Sequence, residues 1–213
     1  MLFKPNETVI FFGDSITHAN KSEVEGSYLW DVLGNGYVNM VNSYYHLYHP
    51  ELNLRVINQG ISGNRSIDLV NRLDQDVLAY HPNHVVMMIG VNDAWRQLDC
   101  PHMPMFQLTE DGYRKNIVTI VERLLEQKIN VVLMSPFFLE TNKENDLRKK
   151  TDSYNVILRE IANQYNLLFI DVQKEFDKLL KKISVLTLSG DRIHMNMAGN
   201  MFLRDQVIKH LNK

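Results

Sequence analysis

Apolar residues follow two alternating rhythms along this chain. Short, nearly continuous apolar runs fall at Val9–Phe12, Leu54–Ile57, Val85–Ile89, Val131–Met134 and Leu167–Ile170. Such runs suit parallel strands buried on both faces. Between them the apolar positions recur at helical spacing. Tyr37, Met40, Val41, Tyr44 and Tyr48 share one helical face. Leu69, Leu73 and Val77 do the same before Pro82 closes the segment. Tyr113, Ile117, Ile120, Val121 and Leu124 form a stripe with Thr109 as its N-cap, and Ile157, Leu158, Ile161 and Tyr165 form another. A last helix is predicted from about Ala198 to Leu211.

Repeated strand-helix units imply an α/β fold, with helices on both faces of a parallel sheet. Ligands of such sheets bind at the carboxyl ends of the strands. The first predicted strand ends at Gly13-Asp14-Ser15, the second at Asn58–Gly63 and the third at Gly90-Val91-Asn92-Asp93. These three ends are expected to share one rim. The segment Trp95–Leu108, with Pro101 and Pro104, is expected to be a loop on that rim.

The 213 residues suffice for one sizeable core, and with no repeat or Pro/Ser-rich linker a single domain over 1–213 is expected. A net charge of −2 gives no electrostatic reason to expect nucleic acid. The runs Arg148-Lys149-Lys150 and Lys181-Lys182 are expected on solvated surface. Cys100 is the one cysteine, which suits a reducing compartment. With no basic leader before an apolar segment and no apolar stretch near ~20 residues, the expectation is a cytoplasmic protein without a membrane partner.

Candidate chemistry begins at Ser15. It follows a buried strand, with Gly13 permitting a tight turn, and it is placed to open a helix whose first N–H groups are free. A serine hydroxyl needs a base. Asp191 and His194 stand three apart, just before the last helix. On a short turn this spacing lets the carboxylate hold one imidazole nitrogen while the other faces a hydroxyl. Acyl transfer also needs fixed donors for the developing oxyanion. The backbone N–H groups of Ser15 and Gly63 and the side-chain amide of Asn92 are the candidates. Asp14 and Asp93 are expected to hold the Ser15 turn and the Asn92 loop through backbone hydrogen bonds. Asp14, Trp95 and Arg96 are also grouped as candidate substrate contacts.

The joint order is Gly-Asp-Ser after strand one, a Gly after strand two, Gly-x-Asn-Asp after strand three and Asp-x-x-His before the final helix. It resembles the SGNH-hydrolase superfamily, also called the GDSL esterase/lipase family, over residues 8 to 211. The resemblance implies a serine nucleophile at Ser15, oxyanion residues at Gly63 and Asn92, and Asp191 and His194 as the remaining triad. It also implies a three-layer α/β/α flavodoxin-like fold with a five-stranded parallel sheet in the order 2-1-3-4-5. Leu33–Val38, Pro50-Glu51-Leu52, Gly60–Asn64, Ile89–Gln97 and Ser135-Pro136-Phe137 are similar to the intracellular acetylxylan esterases of this superfamily. That similarity implies an acetylated carbohydrate substrate, no cofactor, and a homo-oligomer. Two positions depart from the family pattern. Gly190 stands where an aromatic often precedes the Asp, and Met195 where a proline often follows the His.

Rival readings fare less well. His46 with His49 and His81 with His84 have chelating spacing, yet no Cys or clustered carboxylate completes a metal site. No phosphate-binding glycine motif follows the first strand, and no Gly-x-Ser-x-Gly elbow is present. A lysophospholipase or thioesterase acting on longer acyl chains is the alternative within the fold. A non-catalytic carbohydrate-binding scaffold is the alternative outside enzymes. Cys100, with no adjacent base, is given no role.

Overall fold

The computed structural model describes residues 2–24 and 26–212. It opens with strand β1 (Thr8–Gly13), the single-turn helix α1 (Ser15–His18), α2 (Leu29–Val32) and α3 (Tyr37–Tyr48). Strand β2 (Arg55–Gly60), α4 (Ser66–Asp76), β3 (His84–Met88), α5 (Val91–Asp99) and α6 (Glu110–Glu126) follow. Then come β4 (Asn130–Met134), α7 (Asp146–Gln164), β5 (Leu168–Ile170), α8 (Val172–Leu179) and α9 (Met197–Leu211).

All five strands are parallel and lie in the order β2-β1-β3-β4-β5. The flavodoxin-like order implied by the motifs is therefore the order found. Strand alternation divides the core into two layers. Val9, Phe11, Val86, Met88, Val132 and Met134 face α3, α8 and α9. Ile10, Phe12, Val85, Met87, Val131 and Leu133 face α4, α6 and α7. Apolar residues on both strand faces are what produced the unbroken runs in the sequence.

The predicted helices form, with two corrections. Thr109 caps α6 by accepting from Gly112 N–H at 3.0 Å. The buried face of α3 is Tyr37, Val38, Val41 and Tyr45, about one residue around from the predicted stripe, and Tyr48 is exposed. The C-terminal helix sets that rotation: Tyr45 donates to Asn212 Oδ1 at 2.8 Å, while Tyr44 accepts from Asn212 Nδ2 at 3.1 Å. Trp95–Leu108 is also not all loop. Helix α5 runs on to Asp99, because the residue before Pro101 is the first that proline disfavours as helix. A turn of 3-10 helix then covers Pro104–Phe106.

Register puts the functional loops together. Gly13 pairs with Gly60 on one side and Met88 on the other. Asp14-Ser15, Ile61–Asn64 and Ile89–Asn92 therefore leave the sheet at one edge. The connections from β1 reverse direction at this point, so Ser15 stands at the topological switch, where α/β sheets open a crevice.

Candidate active site

Ser15 begins α1 directly beyond β1. Asp14 caps this turn: its Oδ1 accepts from Ile16 N–H at 3.0 Å, and its carbonyl accepts from His18 N–H at 2.9 Å. The turn is pressed onto β2. Asn58 donates to the carbonyls of Thr17 and Leu33, each at 2.8 Å, and accepts from Gly60 N–H at 2.9 Å. A Cβ on Gly60 would fall 2.1 Å from His18 N, so only glycine lets the two segments meet this closely.

Asp191 and His194 come from the loop before α9. His194 Nε2 lies 2.8 Å from Ser15 Oγ, and its Nδ1 lies 2.6 Å from Asp191 Oδ2. The other Asp191 oxygen accepts from Ile193 N–H at 2.9 Å, His194 N–H at 2.7 Å and the Ser189 hydroxyl at 3.0 Å. Burial pushes the Asp191 pKa up. The bond to the His194 ring, then those from Ile193, His194 and Ser189, outweigh it and hold the value at about 2. The carboxylate is thus ionised at neutral pH and accepts at Nδ1, which leaves Nε2 as the nitrogen that accepts from Ser15. Between the two, Arg192 adopts φ 71, in the left-handed region. Its carbonyl accepts from Leu139 N–H at 2.9 Å, and its guanidinium pairs with Glu140.

The second and third strand ends supply N–H donors. Gly63 has φ 81, where a side chain is strained. Among the described residues, neither Ser15 N–H nor Gly63 N–H has an acceptor. Asn92 is buried, and one of its amide N–H groups donates to the Asn64 carbonyl at 3.0 Å. An amide carries a second N–H, which is left for a ligand. Asp93 braces these two loops, accepting from Ser66 N–H at 3.0 Å and from the Ser66 hydroxyl at 2.6 Å. Burial raises the Asp93 pKa to about 6, against the bonds from Ser66.

A cavity of about 240 Å³ opens at Ser15 and His194. Its polar wall is His18, Asn20, Asn35, Ser62 and Asn200, with Met195 at one side. The three residues grouped as substrate contacts do not line it. Asp14 is 1% exposed, with its carboxylate occupied by Ile16 N–H, so it holds the turn instead. Arg96 pairs with Asp99 at 2.6 Å and lies over the Trp95 ring at 5.4 Å, while Trp95 packs against the core. The polar wall was missed because Asn20, Asn35 and Asn200 carry no motif. Asn58 had a signal, a polar residue inside a strand.

The histidine pairs with chelating spacing are engaged separately. His46 Nδ1 contacts Asn42 O at 2.9 Å, and His84 Nε2 contacts Glu7 at 2.8 Å. Among the described residues no three His, Cys, Asp or Glu side chains are grouped to hold a metal ion. No helix among them is long and apolar enough to cross a membrane.

Asp14 yields a pH prediction. Burial, with the Asp93 charge adding to it, outweighs the Ile16 N–H bond and raises its pKa from 3.8 to about 7. Between those values the folded chain holds a proton that the unfolded chain has released. Asp14 therefore lowers stability progressively as pH rises from about 4 to about 7, and the loss persists above. Asp14→Asn keeps an oxygen for Ile16 N–H without the titration. Its stability relative to the unsubstituted chain should rise by about 2–4 kcal/mol between pH 4 and pH 8. Urea unfolding at the two pH values measures this, and an unchanged difference would contradict it.

The chain belongs to the GDSL-like lipase/acylhydrolase family, which it matches over residues 11–201. It is 37% identical over 205 residues to an acetylxylan esterase of Geobacillus stearothermophilus, covering 96% of this chain and 94% of that protein. The crystal structure of an acetylxylan esterase from the same organism has a TM-score of 0.95 at 36% identity, covering 100% of this chain and 97% of that one. An α/β hydrolase from the metagenome of Lake Arreo, Spain, has a TM-score of 0.95 at 35% identity, covering 100% of this chain and 98% of that one.

Proposed function

We propose that this carboxylic ester hydrolase is a single-domain serine esterase that removes O-acetyl groups from xylo-oligosaccharides or related acetylated sugars. The observation that carries the reading is the unbroken relay from Ser15 through His194 to Asp191 at the mouth of a small polar cavity. His194 Nε2 takes the Ser15 proton as Oγ attacks the ester carbonyl. The tetrahedral oxyanion is held by the N–H groups of Ser15 and Gly63 and the amide of Asn92. Protonated His194 then donates to the sugar oxygen as its bond to the acyl carbon breaks, so the sugar departs with a free hydroxyl and acetyl-Ser15 remains. Water, deprotonated by His194, attacks this ester, and acetate leaves as Ser15 recovers its proton.

Amide and imidazole groups on the cavity wall suit an alcohol rich in hydroxyls. One feature favours longer acyl chains: a second cavity of about 460 Å³, lined by Ile67, Val70, Met105, Phe106 and Leu108 among others. It shares no lining residue with the cavity at Ser15, which supports the short-acyl reading. Acetate release from acetylated xylo-oligosaccharides is the test, alongside aryl esters of two and eight carbons. Sugar deacetylation and an acetyl preference of at least about 10-fold are expected, since a polar cavity of about 240 Å³ has neither the room nor the apolar lining for an eight-carbon chain. Equal or faster turnover of the eight-carbon ester would overturn the acetyl assignment.

The same proposal includes a homo-oligomer, supported by the exposed Leu47, Tyr48 and Leu186. It also includes a cytoplasmic setting, supported by the lone free thiol of Cys100.

A further inference from the structure

Arg72 lies on α4, away from the Ser15–His194–Asp191 relay. Its guanidinium is largely buried, with the side chain 13% exposed, and it lies 4.5 Å from the centre of the Phe12 ring. Nη1 pairs with Asp76 at 2.7 Å. Nη2 donates to the carbonyls of Gly13 at 2.9 Å and Gln59 at 3.0 Å, and Nε donates to Asn64 Oδ1 at 2.7 Å. The Gly13 carbonyl also accepts from Ile61 N–H at 3.1 Å.

These acceptors are distributed in a telling way. Gly13 stands two residues before Ser15. Gln59 and Asn64 bracket Gly63. Asn64 in turn accepts from Asn92 through its carbonyl. One guanidinium therefore reaches, directly or through one further bond, the segments carrying all three candidate oxyanion donors. We propose that Arg72 is a positioning residue for the oxyanion hole, its planar fork setting the spacing between Ser15 N–H, Gly63 N–H and the Asn92 amide. The proposal rests on the reading that Ser15 attacks and that these donors receive the charge.

The fork is the necessary shape. A lysine places its donors on one nitrogen and does not span acceptors on three separate segments. Arg72 lines neither the Ser15 cavity nor the second one, so its loss acts through the donors. Donors that matter chiefly in the transition state affect kcat more than KM.

The test is steady-state turnover of an aryl acetate by Arg72→Lys, Arg72→Ala and Asn64→Ala, with Ser15→Ala alongside. Arg72→Lys and Arg72→Ala should each lose kcat by about 100-fold, the scale of a misplaced or missing oxyanion donor, with KM within about twofold. Added guanidinium ion should restore Arg72→Ala by about 10-fold, because it refills the fork. Asn64→Ala keeps the backbone carbonyl that holds Asn92 and removes one Arg72 acceptor. It should lose kcat by about 10-fold at unchanged KM. Arg72→Lys with kcat within twofold of the unsubstituted enzyme would overturn the proposal. So would a KM that rises as far as kcat falls, or an Arg72→Ala protein that guanidinium does not revive. If the Arg72 variants fail to fold, Asn64→Ala decides: undiminished kcat overturns the positioning role. Undiminished activity in Ser15→Ala would instead remove the parent reading.

Discussion

Ser15→Ala is expected to lower kcat for an aryl acetate by about 10⁴-fold or more, with a folded protein and an unchanged unfolding midpoint. The size of the loss follows from what the hydroxyl does. In the proposed mechanism it is the atom that bonds to the acyl carbon, and no neighbouring side chain stands in for it. His194 remains in place without it, held by Asp191 at 2.6 Å, so the variant retains a base. The residual rate should then reflect water attacking directly beside the oxyanion donors. Stability should hold because the turn is fixed by Asp14, Asn58 and Gly60 and not by the Ser15 hydroxyl, which bonds to His194. A fluorophosphonate probe should label the parent chain and not the variant. Labelling of both, or a variant within tenfold of the parent rate, would remove Ser15 from the mechanism.

Asp191→Asn should be the next most damaging change, at about 10³–10⁴-fold in kcat. Asparagine preserves the shape, and its oxygen still accepts from Ile193 and His194 N–H. The difference lies at Oδ2, where an amide N–H now meets His194 Nδ1. The imidazole responds by carrying its proton on Nε2, the nitrogen that accepts from Ser15 in the proposed mechanism. The base is then blocked, and the charge that stabilises the imidazolium is gone. Asp191 is half exposed, so water screens part of that electrostatic component, and the lower end of the range is expected. The carboxylate titrates at about 2, below its usual range. What it contributes to stability is fully present above about pH 4 and is lost as pH falls through about 2. Asp191→Asn should therefore flatten the acid limb of the stability curve as well as slow turnover. A single variant read by both kinetics and acid unfolding checks the two consequences.

Much of the candidate site was legible in the sequence because the residues proposed for its chemistry lie in short local strings. Gly13-Asp14-Ser15 and Asp191-Arg192-Ile193-His194 each carry their geometry within a few residues, so neighbours in sequence are neighbours in space. The strands were legible for a related reason. Both faces of the sheet are covered, and Ile10 and Phe11 are buried in different layers. What escaped was non-local. Arg72 looks like an ordinary helix-surface cation with an i,i+4 partner in Asp76, and nothing in the string reveals that its other nitrogens reach the ends of β1 and β2. The wall formed by Asn20, Asn35 and Asn200 joins residues 180 positions apart. Trp95 and Arg96 were over-read because they follow Asn92. Helical rotation carries Arg96 to Asp99 instead of to the cavity. The α3 face slipped by one position because two aromatic stripes on that helix were equally apolar, and only contact with α9 chose between them.

The loop from Ser189 to Met195 carries a different consequence. Ser189 and Met195 form an isolated antiparallel bridge, and the Ser189 hydroxyl shares its one proton between Asp191 Oδ1 at 3.0 Å and the His194 carbonyl at 2.8 Å. Asp191 fastens the interior of the same seven residues with bonds to Ile193 and His194. The proposed acid–base pair thus lies in a cassette aligned largely by bonds within its own seven residues, with Arg192 tied outward to Leu139 and Glu140. On the cassette's C-terminal side only Asn196, the N-cap of α9, separates it from that helix, so length is free to vary only in the segment between α8 and Ser189. What such a change alters is the reach of the whole cassette toward Ser15, and so the width of the cavity mouth between them.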